Sequence, residues 1–103
     1  MITIHKERVL QIATDLLQQH SPTGYCHEIM DTIEQFVHHT GYHFERTLKG
    51  GGIISIPGAN EGKVIGLSAH VDTLGAMVRS ITGHGTLKFT LLGGPLVPTW
   101  DGE

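Results

Sequence analysis

The stretch Val64-Ile65-Gly66-Leu67-Ser68-Ala69, running directly into His70-Val71-Asp72-Thr73-Leu74-Gly75, decides how this chain reads. Six small or apolar residues in a row, preceded by a turn, predict a strand covered on both faces. In open α/β sheets ligands usually bind at the C-terminal end of such a strand. His70 and Asp72 stand there two residues apart. In an extended backbone, positions i and i+2 share a face. The two side chains are therefore expected to leave the sheet together.

Elements on either side follow from periodicity. Val9, Ile12, Ala13, Leu16 and Leu17 fall on one helical stripe, predicting a helix over about 3–19 with Thr3 as N-cap. Ser21-Pro22-Thr23-Gly24 breaks it, because proline cannot continue the hydrogen-bond ladder. Cys26, Ile29, Met30, Ile33, Phe36 and Val37 form a second stripe, predicting a helix over about 25–39 ended by Gly41 in the left-handed cap position. Tyr42 and Phe44 alternate with polar residues, Gly50-Gly51-Gly52 reads as a flexible connector, and Ile53–Ile56 reads as a short strand. A turn over Ala59-Asn60-Glu61-Gly62 precedes the stretch quoted first. Residues 76–81 and 86–91 flank Thr82-Gly83-His84-Gly85 as a hairpin. The expected class is α/β, with two N-terminal helices packed on a mixed β-sheet. The tail from Gly93 reads as loop, and it ends as if cut. Leu96, Val97 and Trp100 fit an oligomer contact or a surface bared by truncation, and the sequence leaves both open.

Composition excludes several classes. The chain has 103 residues, 39% hydrophobic and 17% charged, which is not a disordered composition. A net charge of −3 provides no footprint for nucleic acid or an anionic membrane surface. No apolar run reaches the roughly 20 residues needed to span a bilayer, and the N-terminus lacks the layout of a secretory signal. Cys26 is the one cysteine, so no internal disulfide forms, and a cytoplasmic location is expected. Histidine occurs 8 times against 7 lysines and arginines together, which directs attention to metal-ligand spacing.

An imidazole ligates zinc or cobalt through one nitrogen, while a carboxylate holding the other nitrogen fixes the tautomer and raises ligand basicity. His70 and Asp72 have the residue types and spacing for that pairing. A strand-end pair that caps a loop would look the same. A catalytic metal also needs about three protein ligands, so one histidine does not make a site. The other histidines read as surface or helix-end residues, with His38 and His39 at a helix C-terminus, where the dipole favours positive charge. Cys26 reads as a buried thiol. Gly50-Gly51-Gly52 lacks the lysine of a phosphate loop, and Ser21 and Ser68 lack a nucleophile-elbow context.

The run from Gly66 through His70-Val71-Asp72-Thr73-Leu74-Gly75-Ala76-Met77-Val78 to Gly93-Gly94 closely resembles the dinuclear metallo-aminopeptidases of the tetrahedral, or glutamyl, aminopeptidase family (metallopeptidase family 42, with some members labelled endoglucanase or cellulase M). So does Ser21-Pro22-Thr23-Gly24 between two helices. The resemblance spans about residues 10–103 and corresponds to the N-terminal part of the family's chain. It implies a zinc-peptidase-like α/β domain and removal of N-terminal residues from peptides, by water activated between two divalent metal ions (zinc or cobalt), with a glutamate as general base. His70 would match the first metal-binding histidine and Asp72 the aspartate that orients it. Residues 1–92 would be part of the catalytic domain, and residues 93–103 the start of a linker to an inserted oligomerisation domain. Assemblies in the family are commonly dodecameric, so a homo-oligomer is expected. Thr73 departs from the glutamate often found there and also suits aminoacylase or carboxypeptidase relatives. The bridging aspartate, the paired glutamates and the last histidine would lie beyond Glu103, and Glu61 and Glu103 have no matching context. The isolated chain is expected to hold no metal, or one weakly, and to be inactive. A non-catalytic α/β module that self-associates is the alternative of a different class.

Overall fold

The computed structural model describes residues 3–60 and 62–100. Glu61, in the expected turn, and residues 101–103 at the end of the expected linker lie outside the described residues, as does Glu103 with them.

The first helix, α1, spans Lys6–Leu17. It begins later than the expected start at about residue 3. His5 rather than Thr3 occupies the cap position, and no side chain caps the helix. Of its stripe, Ile12, Ala13 and Leu16 are half-buried, while Val9 and Leu17 face solvent. The second helix, α2, spans His27–Thr40 and stops at Gly41, whose φ of 76° is the left-handed cap a side chain would disfavour. Its buried face is Ile29, Met30 and Val37.

Strands β1 (His43–Arg46) and β2 (Gly52–Ser55) form an antiparallel hairpin, Phe44 opposite Ile54. Its turn is tied by Thr47 N–H to Gly51 O at 2.9 Å and Gly50 N–H to Thr47 O at 3.0 Å. The glycine run is thus a hairpin turn plus the first residue of β2, not a loose connector. Gly52 has a packing reason: a Cβ there would lie 2.5 Å from Phe44 Cζ and 2.9 Å from Met30 Cε. Phe44 closes the core against Ile29, Met30 and Val37, with Leu16, Cys26, Ile33 and Val71 packed around them.

Strands β3 (Gly75–Ile81) and β4 (Leu87–Leu92) form the second antiparallel hairpin, with a bulge at Arg79 between the paired Val78 and Ser80. Its turn runs through Thr82–Thr86, as the glycines at 83 and 85 foretold. A 3₁₀ turn over Val97–Trp100 follows, where the sequence reads as plain loop, and Trp100 stacks on Phe89 with ring centroids 5.4 Å apart.

Two expectations need correction. The described strands form two separate two-stranded antiparallel sheets, and no mixed sheet joins them. Nor is Val64–Ala69 a strand: no other segment among the described residues pairs with it. Its side chains are open, with Val64 94%, Ile65 88% and Leu67 97% exposed. Residue composition suits a segment for a sheet interior. Pairing, however, needs a neighbour's backbone donors and acceptors, and the described chain supplies none there. The radius of gyration is 18.4 Å, against about 13 Å for a compact domain of this length. The core is correspondingly small and confined to α2 and β1.

Candidate metal centre

The segment after Ala69 is anchored although the segment before it is not. Val71 packs against the core cluster. Thr73 N–H donates to Ser21 O at 2.8 Å, and Pro22 and Thr73 form a parallel bridge. The chain break between the helices thereby becomes a shelf against which 71–73 lies extended. Val71 turns inward, so alternation turns His70 and Asp72 the other way.

His70 and Asp72 do meet. His70 Nδ1 lies 3.1 Å from Asp72 Oδ1 and 3.0 Å from Asp72 backbone O. Both neighbours are acceptors, so Nδ1 carries the proton and donates. In the neutral ring, Nε2 is then left with its lone pair, and it has no hydrogen-bond partner among the described residues. The His70 side chain is 85% exposed, so that lone pair faces open space.

Asp72 has a second partner, from the loop between the helices. Thr23 Oγ1 donates to Asp72 Oδ2 at 2.8 Å. This hydroxyl is the largest influence and holds the Asp72 carboxyl below its ordinary pKa of 3.8; burial opposes it, and His70 acts in the same direction as the hydroxyl. Ser21, beside Thr23, is 1% exposed, and its hydroxyl has no hydrogen-bond partner among the described residues.

The remaining candidates settle as ordinary structure. Cys26 is half-buried, its thiol directed at the Ser21 and Pro22 carbonyls. His38 lies 3.6 Å from Glu34, one turn back along α2, and His39 Nδ1 contacts Gln35 O. His27 packs edge-on against Tyr25. Two open hollows lie elsewhere, one beside Thr32, Phe36 and His39, the other near Tyr42, Ile56 and Pro57. Sequence reasoning gave Thr23 no role. Its bond to Asp72 spans 49 positions, so no local spacing announces it; the proline break and the resemblance of Ser21-Pro22-Thr23-Gly24 to the family marked the loop, but neither assigned the hydroxyl.

An exposed imidazole whose Nδ1–H is engaged by a carboxylate has the form of a metal-ligating histidine with its orienting partner. A family model described as M42 glutamyl aminopeptidase matches residues 50–103. That is more than half of the 103 residues, and the chain belongs to the M42 glutamyl aminopeptidase family. A Bacillus subtilis (strain 168) protein named "Putative aminopeptidase YhfE" is 36% identical over 96 residues, which cover 93% of this chain. The chain spans 28% of the length of that relative.

The family implies two divalent metal ions. An outward Nε2 lone pair on a ring whose Nδ1–H is engaged fits one ligand position. A catalytic zinc takes about three protein ligands, and no group of three or more His, Cys, Asp and Glu side chains gathers among the described residues. The donor set thus fits one corner of such a centre and does not complete it. No helix among the described residues is long and apolar enough to cross a membrane.

Proposed function

We propose that this chain is the N-terminal segment of a metal-dependent aminopeptidase that removes N-terminal residues from peptides. His70 is a metal ligand through Nε2, and Asp72 holds its ring. Residues 1–92 belong to the catalytic domain, and residues 93–103 open the linker to an inserted oligomerisation domain. The bound ions, zinc or cobalt, supply an activated water. The bridging carboxylate, the general base and the remaining ligands come from polypeptide outside this chain, so the isolated chain is inactive. The complete protein acts as a cytoplasmic homo-oligomer.

The observation that carries this reading is the His70–Asp72 contact at 3.1 Å with the other ring nitrogen free. Membership of the family and the 28% coverage of the relative support it. So does the bare Val64–Leu67 run, whose composition suits a strand flanked by further polypeptide.

The test compares this chain with a polypeptide extended to the relative's length. The extended protein should hold two zinc or cobalt ions per chain and release N-terminal residues from peptides, and His70→Ala should abolish both properties. Equal activity in the 103-residue chain, or an extended His70→Ala protein with its metal and activity intact, would refute the assignment. The open Val64–Leu67 run also favours a second reading, a module that associates with copies of itself. Sedimentation of the 103-residue chain as a defined oligomer that ignores zinc would select it.

A further inference from the structure

We propose that Thr23 is a positioning residue for the candidate metal centre: its hydroxyl locks the Asp72 carboxylate in the rotation that aims Oδ1 at His70 Nδ1. The proposal rests on the reading of His70 as a ligand and extends it to a residue on another element.

The terminal torsion of an aspartate is broad and roughly two-fold, so a carboxylate held by one oxygen alone swings. Here the two oxygens have different partners: Oδ1 meets His70 at 3.1 Å and Oδ2 accepts from Thr23 at 2.8 Å. Together these bonds leave the carboxylate one orientation. The Thr23 hydroxyl is itself placed by the fold. Pro22 is bridged to Thr73, and Ser21 O accepts from Thr73 N–H. On the far side a Cβ at Gly93 would stand 3.5 Å from Thr23 Oγ1 and 3.1 Å from Leu74 Cδ2, so the end of β4 approaches the same hydroxyl. The inter-helix loop thus reaches the ring through one carboxylate.

Thr23→Val keeps the shape and removes the donor. In the metal-free 103-residue chain above the ordinary histidine pKa, nitrogen NMR of His70 reads the tautomer directly. The native ring should show one Nδ1–H form. Thr23→Val should admit a measurable share of the Nε2–H form, the Asp72 backbone O at 3.0 Å still favouring part of the Nδ1–H population, and Thr23→Ser, which keeps the hydroxyl, should restore the single form. In an Asp72→Ala background Thr23→Val should change nothing further, because the effect passes through the carboxylate. The Thr73 amide, bonded to Ser21 O, separates positioning from tethering. Retained exchange protection there with an altered tautomer supports the proposal. Unchanged ring nitrogens in Thr23→Val, or simultaneous loss of tautomer and Thr73 protection that Thr23→Ser does not repair, would overturn it. A zinc titration of the polypeptide extended to the relative's length separates the underlying reading. If zinc leaves the His70 Nε2 signal of that protein unmoved, the ligand assignment fails, while the metal-free tautomer comparison in the 103-residue chain still decides the role of Thr23.

Discussion

Gly75→Ala should open the contact between the inter-helix loop and the His70–Thr73 segment. A Cβ at Gly75 would stand 2.6 Å from Pro22 Cβ, with Pro22 Cα and Cγ at 3.6 Å. Carbon atoms rest about 3.5–4.0 Å apart, so relief needs ~1 Å of movement. A proline ring cannot swing aside as a flexible side chain does, and the loop backbone must carry the shift. Away from this contact, alanine in a strand would be favoured over glycine by roughly 0.5–1 kcal/mol. Overpacking costs about 1–3 kcal/mol, so the clash wins. The loop is held to 72–73 by two hydrogen bonds, Thr73 N–H to Ser21 O and Thr23 Oγ1 to Asp72 Oδ2. At roughly 0.5–1.5 kcal/mol each, they balance the overpacking cost. The contact should therefore part rather than compress. The Thr73 amide should exchange about 10–100-fold faster, each tenfold corresponding to about 1.4 kcal/mol. Adding Pro22→Gly, which deletes the clashing carbon, should recover part of that protection, a coupling only touching residues show. Native-like protection of Thr73 in Gly75→Ala, or strict additivity with Pro22→Gly, would refute the reasoning.

Phe44→Ala removes the one buried aromatic of a four-residue core and should cost about 3 kcal/mol, read by urea denaturation followed through α2 helicity; a loss under 1 kcal/mol would show that this cluster is not what stabilises the chain. Arg46 bonds Asp31 at 2.5 Å and Glu34 at 3.0 Å from β1 to α2, while its guanidinium lies 5.9 Å from the Phe44 ring centroid. All three charges are partly exposed, so Arg46→Gln should cost about 1 kcal/mol at low salt, a difference that shrinks in a melt at ~1 M salt. Asp72 has a folded pKa below 3.8, so its ionised form stabilises the fold above that value, and the contribution is lost as pH falls through the folded pKa. An acid titration of stability should accordingly be shallower below about pH 4 in Asp72→Asn than in the native chain, and parallel curves would remove Thr23 and His70 as partners that favour the ionised form.

Much of the local structure is legible because its causes are local. The apolar stripes set α1 and α2 through the 3.6-residue period, Gly41 marks the end of α2, and the glycines at 83 and 85 mark the β3–β4 turn. The meeting of His70 with Asp72 also follows from alternation. What escapes a linear reading is non-local. Val64–Ala69 has strand composition without a strand, because composition records the expected surroundings and pairing requires an actual neighbour. Two separate hairpins, rather than one mixed sheet, follow from the same missing pairing. The Asp31–Arg46–Glu34 clamp and the Thr23–Asp72 bond join residues far apart in sequence, and nothing in their spacing announces either. Gly52 looks like one more flexible residue until Phe44 and Met30 are found occupying the space of its missing side chain.

The placement of the candidate ligand explains why the loop matters more than the core. A His70 ring 85% exposed gains little from packing. Its restraint comes from Asp72, through the carboxylate and the backbone carbonyl. Immobilising one mobile side chain on binding costs about 0.5–1.5 kcal/mol, so a ring already held in one tautomer binds a cation with less of that loss. Asp72 is in turn held by Thr23, and the backbone on either side by Val71 in the core and by Thr73 on Ser21. Each restraint lies within the described chain. The orientation of this one donor is therefore established by the segment from the inter-helix loop to β3, independently of wherever the other donors come from.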